Sequence, residues 1–166
     1  MLSRPDQAAA WLARVLETKR RALGPDDPRL IGTLSQLGSA RMAQGEHTAA
    51  EEAYREAIAL SERTAEGGWL LSHTQSLLGS CLVAQRRFDE AEPLLLRGYQ
   101  GLRSVPSSIL TSGPTFVDAA ARRLIHLYES WDRPEQAASW RAKIKGNRPA
   151  KVDTNAGFPD DPFASP

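Results

Sequence analysis

The stretch LSQLGSARMAQGEHTAAEEAYREA, residues 34–57, decides the fold of this chain because its key letters return later in the sequence. Leu37-Gly38 returns as Leu78-Gly79, and Ala50 returns as Ala91, each 41 residues further on. A fixed period of this size is typical of proteins in which small units stack and bury a core between neighbours. The sequence therefore predicts a stacked array.

The units of this array are predicted to be helical. Apolar residues recur every three or four positions, as in Leu30, Leu34 and Leu37, and no stretch alternates as a strand would. Glycine and proline mark the helix ends, as at Gly24-Pro25 and Gly45. The short links make paired helices antiparallel. Seven helices are predicted, near residues 5–22, 28–43, 47–65, 69–85, 88–104, 114–131 and 134–145.

Composition describes an ordinary soluble globular chain of 166 residues, 41% hydrophobic and 25% charged. A formal charge of +1 gives no broad electrostatic footprint for nucleic acid or an anionic membrane, so neither partner is expected. The single cysteine, Cys81, excludes an internal disulfide framework. No signal-like or membrane-spanning apolar run is present, and we expect a cytoplasmic protein.

The period divides the chain into a helical domain and a tail. We expect the domain over residues 1–146, and disorder over residues 147–166, where Asn, Pro, Asp, Gly and Ser dominate. Within the domain, the predicted units are a half repeat over 4–24, full repeats over 28–65 and 69–104, and a degenerate repeat over 114–146.

Laid under one another, residues 34–57 and 78–98 resemble tetratricopeptide repeats. Small residues stand where the two helices of a hairpin approach closely, and large residues fill the layers between. The small positions are Gly38, Ala50, Ala57, Gly79, Ala91 and Gly98, and the large ones are Leu37, Tyr54, Leu78 and Leu95. The resemblance implies an all-α fold, a right-handed superhelix of antiparallel helix pairs. Three positions depart from the pattern: Arg41 replaces a core aromatic residue, Gln75 an apolar residue, and Arg86 the turn glycine.

Two finer resemblances concern the length and ending of the array. The steps of 42 residues from Ala8 to Ala50 and 46 from Ala91 to Ala137, with residues 23–28, resemble the long kinesin-light-chain type of repeat. The segment from Arg87 onward is similar to arrays that end many bacterial serine/threonine kinases. No glycine-rich phosphate loop or kinase catalytic motif is present, so kinase activity is not implied.

In this family the first helices of the pairs line a concave groove, in which peptides usually lie. Helical spacing of three and four residues groups the predicted groove positions on one face of each helix. They are Gly32, Ser35, Ser39 and Met42, then His73, Ser76, Ser80 and Val83, then Arg122, His126 and Glu129. Arg122 is the expected anion partner, which favours an acidic or C-terminal peptide. The alternative is a face that is simply solvated.

The half repeat predicts a second surface. Leu12, Val15 and Leu16 occupy positions that a missing first helix would cover, and such a patch invites a partner. A homodimer or docking onto a preceding domain is therefore expected at this end. Alternatively, Trp11 and the start of the chain fold over the patch.

Catalytic and metal-binding chemistry is not expected. His47, His73 and His126 lie on different helices and form no metal motif, and no cofactor is implied. Cys81 is interpreted as a packed hydrophobic residue rather than a nucleophile. Residues 158–163, Phe-Pro-Asp-Asp-Pro-Phe, are either part of a disordered end or a short docking motif, even a ligand for the chain's own groove.

The sequence thus favours a non-enzymatic scaffold that binds protein or peptide in its concave groove. The alternative is a regulatory or self-association segment of a larger bacterial signalling protein, such as a serine/threonine kinase. A small α-helical enzyme has no catalytic constellation to support it.

Overall fold

Helices make up the ordered architecture. The computed structural model describes residues 4–64, 68–106 and 113–146, and within these ranges there is no strand. The helices are α1 (Arg4–Leu23), α2 (Ile31–Ala43), α3 (His47–Thr64), α4 (Gly68–Ala84), α5 (Phe88–Ser104), α6 (Gly113–Ser130) and α7 (Pro134–Gly146). The all-α prediction is confirmed, and the predicted helix ends are met to within one residue except at α2. There the first turn is a 3-10 helix, Pro28–Leu30, with Asp27 as its N-cap.

The helices alternate between two layers. Each helix packs on the next one along the chain, and in addition α2 packs on α4 and α4 packs on α6. We call α2, α4 and α6 the inner helices and the others the outer helices. Within the described ranges, the outer helices meet one another only through side chains, such as the ion pair of Arg20 in α1 with Glu56 in α3 and the ring contact of Tyr99 in α5 with Trp140 in α7. Because the backbones of the inner helices approach one another more closely than those of the outer helices, the array curves toward the inner helices, and they form its concave face.

Glycines allow the two layers to approach closely, as predicted from the repeat. A Cβ atom built on Gly38 of α2 would lie 2.6 Å from the ring of Tyr54 in α3. A Cβ atom on Gly98 of α5 would lie 2.7 Å from the backbone oxygen of Ser72 in α4. Such distances are too short for any side chain, so glycine is required at both crossings.

The turn between the helices of each pair uses a left-handed residue. Gly45 has φ 77°, and the equivalent turns place Arg86 at φ 61° and Asp132 at φ 56°. Arg86 therefore replaces the turn glycine without changing the turn, although a left-handed conformation is unfavourable for a residue with a Cβ. Its guanidinium carbon lies 5.7 Å from the ring centroid of Phe88, a cation–π contact that favours this conformation.

A buried carboxylate joins the two full repeats. Glu51 of α3 accepts hydrogen bonds from Arg87 Nη1 at 2.8 and 2.9 Å and from Gln85 Nε2 at 2.7 Å. Burial alone would raise the pKa of Glu51, but these hydrogen bonds and the charge of Arg55 lower it overall. The carboxylate therefore stays ionised and ties α3 to the turn before α5.

Helix α1 packs on α2 through the residues that were predicted to be exposed. Leu12 and Leu16 are only 8% and 4% exposed, so the prediction of an open patch at these residues is wrong. They lie four residues apart on the face turned toward α2, where they belong to the same hydrophobic core as Leu30 and Leu34. Trp11 does not cover them, because 63% of it is exposed on another side of the helix. Val15 is partly buried.

Two further predictions concern the C-terminal tail and the absence of a membrane-spanning segment. The predicted disorder of residues 147–166 lies outside the described residues. Among the helices that the structure describes, none is both long and apolar enough to cross a bilayer.

Candidate functional site

The concave face carries a pocket of about 480 Å³ between α2, α4 and the start of α6. We call it the groove pocket. Its residues come from all three inner helices and are mostly apolar or small. They are Gly32, Ser35, Gln36 and Ser39 of α2, Trp69, Leu70, His73 and Leu77 of α4, and Phe116 of α6.

Three aromatic rings form one wall of this pocket. The ring centroids of Trp69 and Phe116 lie 5.4 Å apart, and those of His73 and Phe116 lie 4.9 Å apart in an edge-to-face arrangement. Trp69 and His73 are four residues apart on α4, which places both rings on one side of the helix. A wall of this kind suits a large apolar or aromatic side chain.

Hydroxyl groups of the inner helix α2 are paired with neighbouring helices. Ser35 Oγ lies 2.7 Å from Thr74 Oγ1 of the inner helix α4, and Ser39 Oγ lies 3.1 Å from the Tyr54 hydroxyl oxygen of the outer helix α3. These pairs satisfy the hydroxyl groups and fix α2 against both neighbours.

A cation lies next to the pocket without a carboxylate partner. Arg123 of α6 is partly buried, and its Nη1 donates to Ser76 Oγ at 3.3 Å. Among the residues described by the structure, it forms no ion pair. Burial lowers the pKa of Arg123 from its ordinary value, and its charge acts on Tyr54 and His73. A guanidinium has five N–H donors, and the hydrogen bond to Ser76 uses one of those on Arg123.

His73 is neutral at physiological pH. Burial, together with the positive charge of Arg123, lowers the pKa of His73 to about 4. Its Nδ1 atom is shielded from solvent and has no hydrogen-bond partner among the residues that the structure describes. His73 therefore contributes an apolar ring edge and a spare polar atom rather than a second positive charge.

The repeat pattern is matched by a known family. A family model described as Tetratricopeptide repeat matches residues 1–63 and again residues 29–104, together more than half of the chain. The chain belongs to the tetratricopeptide repeat family. Such repeats are generally protein-interaction scaffolds. Both matches end before α6 begins. No curated protein matches the chain.

Several of the predicted groove residues of this tetratricopeptide array do lie at the groove pocket. Gly32, Ser39 and His73 line it, and Ser35 contributes a buried part of its wall. Met42 and Ser80 are partly buried and lie outside the set that lines it.

Ser76 and Val83 are a correction to the predicted groove, because they are 0% and 4% exposed and do not line the groove pocket. Ser35, Ser76 and Arg122 are equivalent positions, 41 and 46 residues apart. Ser35 and Ser76 turn toward the next inner helix, where they meet Thr74 and Arg123. Arg122 is exposed because it lies on the last inner helix described.

The remaining predicted residues of α6 do not gather at the pocket. Glu129 forms an ion pair with Arg141 of the outer helix α7, so it turns away from the inner helices. His126 is exposed, and its Nδ1 lies 3.4 Å from Ser130 Oγ. The guanidinium next to the groove residues belongs to Arg123 rather than to Arg122.

Cys81 occupies the core of the repeat. Its side chain is fully buried, and its Sγ donates to the backbone oxygen of His47 at 3.2 Å. Burial raises the pKa of the Cys81 thiol, which disfavours the nucleophilic thiolate. In the described ranges, no group of three or more potential metal ligands comes together.

Proposed function

We propose that the chain is a non-enzymatic scaffold that binds a protein or peptide segment along α2, α4 and α6. The ligand places a large apolar side chain in the groove pocket and a carboxylate on Arg123. The observation that carries this proposal is the combination of an aromatic-walled pocket with a neighbouring guanidinium that has no ion-pair partner among the described residues.

The two contacts contribute in different ways. Burying a large apolar side chain contributes about 1.5–3 kcal/mol. A bidentate arginine–carboxylate pair adds direction, and it is stronger here than at an open surface because Arg123 is partly buried. The pocket thus favours the side chain, and Arg123 fixes the register of the peptide.

A peptide library of random twelve-residue sequences tests this proposal. We expect binders to combine an aromatic or large aliphatic residue with a nearby acidic residue. Arg123→Gln should weaken them about tenfold or more, since it removes the charge but keeps a hydrogen-bonding side chain. Arg122→Gln is the matched control, because Arg122 is the exposed neighbour, and it should change affinity by less than twofold. A library without binders, or equal effects of the two variants, would contradict the proposal.

We also propose self-association through the outer face of α1, as a regulatory segment of a larger bacterial signalling protein would use. The supporting observation is Trp11, the exposed large hydrophobic residue of the described chain. It lines a shallow pocket of about 390 Å³ together with Arg14, Val15, Thr18 and Lys19. Helix α1 packs on α2 and on the 3-10 turn before it, and its Arg20 forms an ion pair with Glu56 of α3. Trp11 remains 63% exposed and is therefore available to a second copy.

Sedimentation velocity over a range of micromolar concentrations tests self-association. We expect a dimer that dissociates on dilution, and we expect Trp11→Ser to make the protein monomeric by removing its central apolar contact. Arg21→Ser, an exposed change on the same helix, should leave the dimer intact. A wild-type protein that stays monomeric throughout would refute the proposal.

A further inference from the structure

The chain carries, near its C-terminal end, a segment whose chemistry matches the groove pocket. Residues 158–163 read Phe-Pro-Asp-Asp-Pro-Phe, which combines two aromatic residues with two carboxylates and has no basic residue. Arg123, a cation that forms no ion pair within the described ranges, lies next to the aromatic wall of the pocket, where its charge acts on His73. The charges and the apolar groups of the two are therefore complementary.

The pocket and the start of the C-terminal segment lie at the same edge of the array. Helices α6 and α7 are joined by the short turn at residues 131–133, so they run antiparallel. At about 1.5 Å per residue, the end of α7 at Gly146 lies about 20 Å from this turn, and Phe116 lies about 21 Å from it. Gly146 is thus level with Phe116 of the pocket, roughly one helix spacing of about 10 Å away.

The linking segment is long enough to make this connection. Twelve residue steps separate Gly146 from Phe158, and an extended chain of this length spans up to about 40 Å. The required distance, across α6 and into the pocket, is about half of that. The proline after Phe158 and the proline after Asp161 favour an extended backbone, the form in which a peptide lies in a groove.

We propose that residues 158–163 of the chain bind in its own groove pocket, with a phenylalanine ring against Trp69 and Phe116 and an aspartate on Arg123. The inference rests on the proposed peptide-binding function and names one ligand for it. Because a tethered ligand has an effective concentration near the millimolar range, even a weak contact keeps the pocket largely occupied. A partner peptide must then displace this segment before it binds.

Amide NMR spectra of the full chain test this occupancy. We expect the double variant Phe158→Ala/Phe163→Ala to shift the signals of Ser39, Trp69 and His73, since it empties the pocket. Adding a synthetic peptide of residues 155–166 to this variant should move the same signals back. The peptide with Asp160→Asn and Asp161→Asn should be at least about tenfold weaker, because it retains the aromatic rings but lacks the charges.

Competition provides the second readout. A library peptide that uses Arg123 should bind the Phe158→Ala/Phe163→Ala chain about tenfold or more tightly than it binds wild type. Arg122→Gln in the wild-type chain is the matched control, and it should leave the groove signals in place. Groove shifts that change on dilution would overturn binding within one molecule, because they would show that a second copy supplies the segment.

The outcomes separate this inference from the function on which it rests. If library peptides bind equally to wild type and to the double variant, and the groove signals do not differ, then the segment is not a ligand while the binding function stands. If no peptide binds either chain, then both proposals are overturned.

Discussion

Replacing Gly98 with valine should destabilise the protein by about 3 kcal/mol or more. A Cβ atom at this position would lie 2.7 Å from the backbone oxygen of Ser72, 2.8 Å from the backbone nitrogen of Ser76 and 2.9 Å from its Cβ. Two of these three atoms belong to the backbone of α4, so no rotamer change relieves the clash. The helices α4 and α5 must move apart, and the core between them must open.

This separation should also alter the groove, because α4 carries Trp69 and His73. Urea denaturation, with the free energy of unfolding extrapolated to water, measures the loss. Gly98→Ala should give a smaller loss of the same sign, and it serves as the readout if the valine variant fails to fold.

Gly32→Ala is the matched control for this prediction. A Cβ atom on Gly32 meets nothing within 4 Å, although the residue lies in a helix like Gly98. The change should be neutral or stabilising by up to about 1 kcal/mol, because alanine is the better helix former. Equal stability of Gly98→Ala and Gly32→Ala would show that the close α4–α5 crossing is absent in solution.

The helices were predictable from sequence because local signals and the period agree. Glycine or proline marks the helix ends, and the small residues that the repeat requires, such as Gly38 and Gly98, lie at real crossings. The turn at Arg86 was also predictable from the repeat, because the helical hairpin rather than the residue type sets its left-handed conformation. Structural features that recur in each repeat are therefore the easiest to predict from the sequence.

The pocket was harder to predict because its wall is built by residues that do not repeat. Trp69 and Phe116 lie near the starts of α4 and α6, and they meet only when two inner helices pack side by side. Arg122 and Arg123 are neighbours about 100° apart around α6, so a small rotation decides which one faces the groove. The step of 46 residues into the last repeat leaves that rotation undetermined from spacing alone.

The buried side of the N-terminal helix was also difficult to predict from sequence. Its apolar residues lie on more than one side, with Leu12 and Leu16 toward α2 and Trp11 away from it. A helix that packs on one neighbour buries only one of these sides. Choosing the buried side requires the position of α2, which periodicity within α1 does not supply.

The protein should lose stability as the pH falls from about 6.5 toward about 4, because of His73. Burial and the charge of Arg123 lower the pKa of His73 from 6.5 to about 4 in the folded state. Between these values the unfolded chain binds a proton that the folded chain does not, so protonation favours unfolding. Each pKa unit corresponds to about 1.4 kcal/mol, which sets an upper limit of about 3.5 kcal/mol on the loss.

Other groups act in a different pH range. Glu51 has a lowered pKa, so its stabilising contribution is complete above its unfolded value of 4.5 and is lost only as the pH falls through the folded value. A decline between pH 6.5 and pH 5 therefore reports on His73 rather than on this carboxylate.

Urea denaturation at pH 7.5, 6.0 and 5.0 measures the decline. His73→Phe should flatten it, because phenylalanine keeps the ring contacts with Trp69 and Phe116 but binds no proton. His126→Gln, a change at an exposed position on α6, is the control and should keep the wild-type slope. A His73→Phe variant that still loses stability as steeply as wild type would contradict the prediction, because it would show that the pKa of His73 is not lowered in the folded state.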